Sequence, residues 1–337
     1  MSAWSVARRP ISKRPKSSRV KQLATTSLLL VIMLVSVSAY LRLDNSGIGC
    51  ADWPSCYGLI GAPETSEPTV GSTYDRLAEE AQQPLSWATP VHRLVASVLG
   101  LTVLGIALLS ISAKRDRILS FAMLGLTVFL AWLGIYSGGL HSPGVVMGNL
   151  AGGFTLLGLL GWMTFRNAKP RANAPNATKT WTTAALVWLM IQLMTGGLTS
   201  ANFAASACQT LPDCHGSYLP GDQWSKAFDL GRSHEIGPTG LALGGSERAD
   251  IHKLHRITAL ITALTILMAG FSALRAKLGW NAMLVLALVA AEFSVGIAAI
   301  VTDIPIGVAT AHNGLAALLL LALLRLYALC NNRQALL

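Results

Sequence analysis

The sequence predicts an all-α polytopic membrane protein in which eight transmembrane helices form two parallel four-helix repeats. Three observations lead to this fold class: the composition, the number of long apolar runs, and a set of motifs that occurs in each half of the chain. Of the 337 residues, 52% are hydrophobic and only 12% are charged, which is too apolar for a soluble domain of this length. The composition therefore indicates a lipid bilayer as the main solvent.

Eight apolar runs are long enough to be transmembrane helices, because about 20 residues cross the roughly 30 Å hydrocarbon core of a bilayer. The runs cover residues 23–41, 90–111, 118–136, 144–163, 181–200, 254–274, 281–300 and 306–328. Ser36 and Ser38 precede the end of the first run and would suit a cleaved signal peptide. The long basic segment before this run and its full spanning length favour a retained helix instead.

The charged residues between these runs predict how the chain crosses the membrane. The segment before the first run carries seven basic residues and no acidic one, and the connections after the second, fourth and sixth runs are also basic, whereas the loop at 42–89 is mainly acidic. By the positive-inside rule both termini are cytoplasmic, and we expect a multi-pass protein of a bacterial-type inner membrane. The net charge of +10 does not indicate nucleic-acid binding, because the basic residues form no stripe with aromatic side chains.

A cysteine motif occurs in both halves of the chain. Cys50-Ala-Asp-Trp-Pro-Ser-Cys56 lies in the first predicted outer loop, and Cys208-Gln-Thr-Leu-Pro-Asp-Cys214 lies in the third. Because these loops face the oxidising side of the membrane, we expect a disulfide within each loop. Each pair is either a structural staple, which we favour, or a redox pair. The spacing does not suit a zinc site, and Cys330 is expected to be a free thiol.

A histidine-arginine pair opens the next predicted helix in each half, and a polar residue follows 57 residues after each histidine. In chain order these residues are His92, Arg93, Asn149, His255, Arg256 and His312. Because each unit has four spans, the second copy enters the membrane in the same direction as the first. Equivalent residues should therefore lie at the same depth, near the outer face.

The repeat divides the chain into four segments. They are a basic cytoplasmic tail at 1–22, an N-terminal four-helix unit at 23–166, a cytoplasmic linker at 167–180 and a C-terminal four-helix unit at 181–330. Each four-helix unit carries one cysteine pair and one histidine-arginine pair, so we expect each unit to contain one site.

Two histidines of the C-terminal unit are the clearest candidates for a functional site. His312 lies about two turns inside an apolar helix, where an ionisable side chain is costly, and His255 should lie nearby. Two neutral imidazoles that face each other across a helix bundle suit the axial ligation of haem iron or of another transition metal. The alternative for each is a helix-end histidine that hydrogen-bonds to water or to a backbone carbonyl.

Three further polar residues are expected to support this chemistry. His252 lies one turn before His255 and should contact an axial ligand or a haem propionate. Arg93 and Arg256 could pair with propionates, since a guanidinium group suits a carboxylate. The alternative for both arginines is a side chain that extends to the membrane interface.

Longer motifs run through most of the chain. They are Arg42-Leu-Asp-Asn-Ser-Gly-Ile-Gly-Cys-Ala-Asp-Trp-Pro-Ser-Cys-Tyr-Gly58, Gly196-Gly-Leu-Thr-Ser-Ala-Asn202, Ile251-His-Lys-Leu-His-Arg256 and Ala311-His-Asn313. Together they resemble the haem A synthase family of cytochrome oxidase assembly proteins. The resemblance implies oxidation of a methyl group on haem O to a formyl group, which gives haem A. It also implies as partners the enzyme that supplies haem O, the cytochrome oxidase assembly process and an electron acceptor of unidentified nature.

The resemblance further implies a division of labour between the two units. The C-terminal unit would hold a haem b cofactor between His255 and His312, and the N-terminal unit would bind the substrate. There the family pattern has two histidines, with a glutamate three residues before the first. His92 is present, but Thr89 stands at the position of the glutamate and Asn149 at that of the second histidine. An asparagine amide is a poor ligand for haem iron, and threonine cannot act as a carboxylate base.

Other residues are not expected to replace the missing groups. Met147 lies on the opposite helix face from Asn149, and His141 lies in a short outer loop. Thr89 followed by Pro90 has a structural explanation, because threonine is a common N-cap and proline is common at the first helical position.

Three functions remain in view. The preferred one is a haem A synthase whose substrate site works with His92 as its one axial histidine. The second is a haem-binding relative that carries haem or passes electrons through an intact C-terminal site. The third is a secondary transporter, but the predicted helices lack paired glycine or proline breaks at mid-depth. Glu292, the one acidic residue buried in a predicted span, is expected to contact an axial ligand or to form a hydrogen bond inside the bundle.

Overall fold

The structure is a computed structural model that describes residues 16–43, 87–114, 116–136, 143–166, 175–231, 235–236, 242–243 and 245–331. Within these residues, eight helices are long and apolar enough to cross a membrane. They are α1 (Lys16–Leu43), α2 (Ala88–Ala113), α3 (Arg117–Tyr136), α4 (Pro143–Phe165), α5 (Asn176–Ala201), α6 (Ser246–Arg275), α7 (Gly279–Val301) and α8 (Ile306–Cys330). The eight-helix prediction is confirmed, and each observed helix contains the run predicted for it.

The apolar composition of these segments explains why they are helical. Hydrocarbon offers no water to backbone groups, so a spanning segment must satisfy its own N–H and C=O groups, as a helix does. Threonine hydroxyl groups in these helices also form hydrogen bonds within their own helix. Thr127 donates to the carbonyl of Met123, and Thr155 donates to that of Ala151, each four residues earlier.

The connection between α5 and α6 carries the remaining regular structure in the described residues. It contains a 3-10 turn at Ala204–Ala207, a short helix at Trp224–Ala227, and two strands, β1 (Glu235–Ile236) and β2 (Ala242–Leu243). The strands pair in antiparallel fashion, with Glu235 opposite Leu243.

The helices form two rings of four. In the first ring α1 and α3 each contact both α2 and α4, and in the second α5 and α7 each contact both α6 and α8. The rings are joined by contacts of α1 with α8, of α4 with α5, and of α4 with α8. Two copies of one four-helix unit would give this pattern of pairs, but the parallel repeat itself stays a prediction.

The core lies where the two rings meet. Phe154 and Leu157 of α4 and Leu323 of α8 are buried almost completely. A β-carbon placed on Gly161 of α4 would lie only 2.6 Å from the side chain of Leu321, so the two helices approach closely at a small residue, as membrane helices commonly do. The helices α3 and α7 bury the smallest share of their residues and lie at the outside of the bundle.

Two predicted helix starts need correction. The pair His255-Arg256 does not open α6, because the helix begins at Ser246 and places His255 in its third turn. The segment before residue 254 is polar and continues the helix beyond the apolar run. Thr89 does not cap α2, because the helix begins at Ala88 and no side-chain cap bond is present at Trp87. Proline at position 90 is still tolerated, because the N–H groups of the first helical turn have no carbonyl partner within the helix, so none is lost when proline lacks its N–H.

Candidate functional site

His255 on α6 faces a group of polar side chains. The amide nitrogen of Gln192 lies 3.1 Å from Nδ1 and 3.3 Å from Nε2 of the ring, and Thr195 Oγ1 lies 3.2 Å from Nδ1. Thr258 donates to Gln192 Oε1 at 2.6 Å, and its hydroxyl is 3.0 Å from that of Thr195. Neutral groups of α5 and α6 therefore hold the imidazole in place.

His312 lies in the second turn of α8 and faces a carboxylate. Its Nδ1 is 3.3 Å from Oε1 of Glu292 on α7. The His312 side chain is 31% exposed and the Glu292 side chain 16% exposed. The contact predicted for Glu292 with a candidate ligand is therefore found, and its partner is His312.

Each of these imidazoles packs against a glycine. A β-carbon on Gly196 of α5 would lie 3.0 Å from Cε1 of His255, and one on Gly296 of α7 would lie 3.2 Å from Cε1 of His312. Both distances are shorter than the about 3.5 Å of optimal carbon contact. The helices that carry these histidines, α6 and α8, each pack against both α5 and α7, so the two predicted residues belong to one ring of four helices.

His252 occupies a separate place at the start of α6. Its side chain is only 5% exposed, and it lies against the backbone of Ala204 and Ala205. Its Nδ1 has no hydrogen-bond partner among the described residues. A contact between His252 and a haem propionate stays a prediction.

Arg256 ties α6 to the third outer loop. Its Nη1 donates to the carbonyls of Thr210 and Asp213 at 2.9 and 2.8 Å, and its Nη2 donates to the carbonyl of Cys208 at 2.7 Å. The same loop is closed by the predicted disulfide between Cys208 and Cys214. Arg256 therefore has a structural role next to His255, and its predicted contact with a propionate is untested.

The residues predicted for the substrate site lie at the starts of α2 and α4. His92, in the second turn of α2, is within electrostatic reach of Arg93 and of Arg42 at the end of α1. Thr89 is buried, with 4% exposure. Asn149 lies in the second turn of α4, and no hydrogen bond joins it to His92 in the described part of the chain.

The two residues before Asn149 pack against neighbouring helices. Met147 faces α5, because a β-carbon on Gly197 would lie 3.0 Å from its sulfur. A β-carbon on Gly148 would lie 2.7 Å from Leu133 of α3. The start of α4 is therefore packed closely against both α3 and α5.

Some predicted residues cannot be located. Cys50, Cys56 and His141 lie outside the described residues. Cys330 is a buried free thiol, as predicted.

The sequence analysis did not identify Gln192, Thr195 and Thr258. A signal was present, because Gln192 is the only amide side chain between residues 181 and 200. Polar side chains in a spanning helix are rare and usually face the bundle interior.

Comparison with known proteins matches residues 21–324 to the family of cytochrome oxidase assembly proteins, COX15-CtaA. The chain belongs to this family. The match reaches from α1 into α8 and therefore covers both rings of helices. The resemblance to this family that the motifs indicated is confirmed.

Similar individual proteins also support membership of the cytochrome oxidase assembly family. A protein of Shewanella oneidensis named haem A synthase is 34% identical over 310 residues, which cover 88% of this chain and 92% of the relative. A haem A synthase of Rhizorhabdus wittichii is 23% identical over 346 residues, covering 95% and 96% of the two chains. A haem A synthase of Mesorhizobium japonicum is 24% identical over 323 residues, covering 87% and 85%.

Proposed function

We propose that this protein acts in haem A biosynthesis, where it oxidises a methyl group of haem O to a formyl group for cytochrome oxidase assembly. Family membership and the relatives named haem A synthase support the reaction. The structural observation that carries the proposal is the pair of imidazoles, His255 and His312, which lie in the same four-helix ring and each have one edge against a glycine.

The residues around these histidines fit a haem b cofactor between them. Axial ligation needs two imidazole nitrogens. Nε2 of His312 has no hydrogen-bond partner among the described residues. Nε2 of His255 lies 3.3 Å from the amide nitrogen of Gln192, so this amide would have to turn away for iron to bind there. The described residues also contain no group of three or more His, Cys, Asp and Glu side chains that would suit a bare metal ion. The donor set therefore suits an iron whose remaining ligands come from a porphyrin. Bound haem b supplies a one-electron redox centre.

The substrate site of this proposal lies in the N-terminal unit at 23–166. His92 would ligate the iron of haem O, and Arg42 and Arg93 would offer positive charge to its propionates. Thr89 and Asn149 take the places of a glutamate and a second histidine, so His92 is the only protein ligand.

The cofactor site of the proposal lies in the C-terminal unit at 181–330. His255 and His312 would hold the iron of haem b, and Arg256 and His252 would pair with its propionates. The set of Gln192, Thr195 and Thr258 keeps the His255 ring from rotating.

The proposed orientation follows from the distribution of charge. The tail at 1–22, the linker at 167–180 and the C-terminus are cytoplasmic in a bacterial-type inner membrane, and both haem sites lie near the outer face. Haem O reaches the N-terminal unit through the bilayer from the enzyme that makes it, and an unidentified acceptor removes the electrons.

A second function is favoured by one observation in the N-terminal unit. Asn149 is not a good iron ligand, and Gly148, the residue before it on α4, packs against Leu133 of α3. A chain whose substrate half has lost its ligands would serve as a haem carrier or an electron-transfer protein.

Chromatography of extracted haems separates these two functions. Membranes of a host that makes haem O are compared with and without this protein, with His92→Ala as the test variant and Cys330→Ser as the control. The proposal predicts haem A or its alcohol intermediate with the wild type and the control, and unchanged haem O with His92→Ala. Unchanged haem O with the wild type, while haem B co-purifies, would contradict the enzyme and support the carrier.

A further inference from the structure

Glu292 is the only acidic residue in the spanning helices apart from Glu247 and Asp250 at the start of α6. A carboxylate inside a bilayer is costly unless it has a partner, and such groups usually face the bundle interior. Neither its Oε2 nor Nδ1 of His312 makes a hydrogen bond among the described residues, so the two side chains lie at ion-pair distance without a formed hydrogen bond. The ring of His312, 3.3 Å from Oε1, is its polar partner in this part of the chain.

The position of Glu292 on α7 is matched to that of His312 on α8. The two helices pack along their length, and Gly296 lies one turn after Glu292 on α7. The glycine leaves space for the Cε1 edge of the ring, while the carboxylate lies at Nδ1. Neither ring nitrogen makes a hydrogen bond among the described residues, and the carboxylate is the polar group beside Nδ1, which leaves Nε2 for an iron ligand bond.

The other imidazole of the pair has no such partner. Nδ1 of His255 contacts Gln192 and Thr195, which are both neutral. In the first ring, a β-carbon on Gly152 of α4 would lie 2.5 Å from Leu130 of α3. The carboxylate contact is therefore found at His312 and not at His255, and the contact of α3 with Gly152 of α4 in the N-terminal unit is made by a leucine.

We propose that Glu292 is a positioning residue that fixes Nδ1 of His312 and makes this imidazole the more electron-rich of the two axial ligands. The inference rests on the proposed function, because it requires haem iron between His255 and His312. A carboxylate that accepts the Nδ1 proton of a ligating histidine fixes its tautomer and raises the basicity of Nε2. A more basic axial ligand stabilises ferric over ferrous iron, so Glu292 lowers the reduction potential of the bound haem.

The test is a redox titration of the purified full-length protein with its bound haem. Glu292→Gln keeps the size of the side chain and a hydrogen-bond acceptor but removes the charge. Asp303→Asn, just after the end of α7, removes an equal charge at an exposed position and serves as the control. We expect Glu292→Gln to favour reduction by about tenfold, a rise in midpoint potential of about 59 mV for one electron, with two histidine ligands retained in the spectrum. The control should keep the wild-type potential.

Several outcomes would overturn the inference. A wild-type potential in Glu292→Gln with full haem content contradicts it. If Glu292→Gln loses its haem, the variant Glu292→Asp is measured instead. Haem that is retained in Glu292→Asp, with a midpoint potential at or below the wild-type value, supports a role for the carboxylate. Loss of haem from Glu292→Asp as well contradicts the inference. A wild-type haem spectrum that survives His312→Ala refutes the proposed cofactor site itself, which distinguishes that failure from failure of the role of Glu292 alone.

Discussion

Two glycines, Gly196 and Gly296, set the space available to the candidate axial histidines. At each of them a β-carbon would press on an imidazole ring, whereas at Gly125 and Gly158 it would meet nothing within 4 Å. The orientation of the two rings is therefore limited by packing as well as by hydrogen bonds, which is how a binding site on rigid helices keeps its ligands in place.

The substitution Gly196→Val tests this packing. The added methyl groups would displace the His255 ring, and overpacking of this kind costs about 1–3 kcal/mol, so we expect haem affinity to fall about tenfold. The haem-to-protein ratio of the purified variant measures the effect. Gly158→Val, in a spanning helix with open space, should keep the wild-type ratio. Equal haem content in the two variants would show that Gly196 is not part of the site.

At this scale the sequence predicts charged and ionisable residues better than small or neutral ones. His255, His312 and Glu292 were predictable because such side chains are costly in an apolar segment. Gly196 was not predictable, since its role depends on which imidazole lies opposite it on another helix. Gln192 stands out as an amide in an apolar segment, but its partner depends on the same helix packing. The periodicity of one helix does not determine that register.

The first turns of α6 are the element that connects the outer loop to the histidines. They extend beyond the apolar run and carry His252 in a buried position. Arg256, one residue after His255, donates three hydrogen bonds to carbonyls of the loop that the disulfide closes. The loop is therefore attached to the same helix turn that positions His255.

The substitution Arg256→Gln should release this loop. The loss of its charge-assisted hydrogen bonds costs on the order of 2 kcal/mol, because the guanidinium group is partly exposed. We expect faster alkylation of Cys208 and Cys214 under mild reductant, measured by mass spectrometry. Arg275→Gln at the other end of α6 is the matched control and should react like the wild type. An unchanged rate in Arg256→Gln would mean that these bonds do not hold the loop.

Helices were predictable from hydropathy in their apolar parts only. Each of the eight predicted runs lies inside an observed helix, but the start of α6 is eight residues earlier than residue 254. The segment from Ser246 to Lys253 lacks a long apolar run, and α6 contacts the 3-10 turn and the short helix of the outer loop.

The whole molecule consists of two rings joined through α1, α4, α5 and α8. The sequence predicts two equivalent units from the repeated cysteine and histidine motifs. It does not predict which helices join them, because that depends on close approach at residues such as Gly161, and a glycine in an apolar run has many explanations. The direction in which the helices cross the membrane is predicted from the positions of the basic residues between them.

That direction can be tested at the two ends of α7. In a Cys330→Ser background, Asp303→Cys should react with a maleimide that does not cross the inner membrane. The cells used have an intact inner membrane and an outer membrane that lets the reagent through. Lys277→Cys should react only after the inner membrane is permeabilised, because the positive-inside rule places it in the cytoplasm. The reverse labelling pattern would invert the topology and move the haem sites to the inner face.

The most direct test of the whole account is the reduced-minus-oxidised spectrum and the extracted haem of the purified protein. The account predicts haem b with a low-spin spectrum of two histidine ligands, lost in His255→Ala and in His312→Ala but retained in His92→Ala. Retention of that spectrum in either of the first two variants, or its loss in His92→Ala alone, would contradict the assignment of the cofactor to the C-terminal ring.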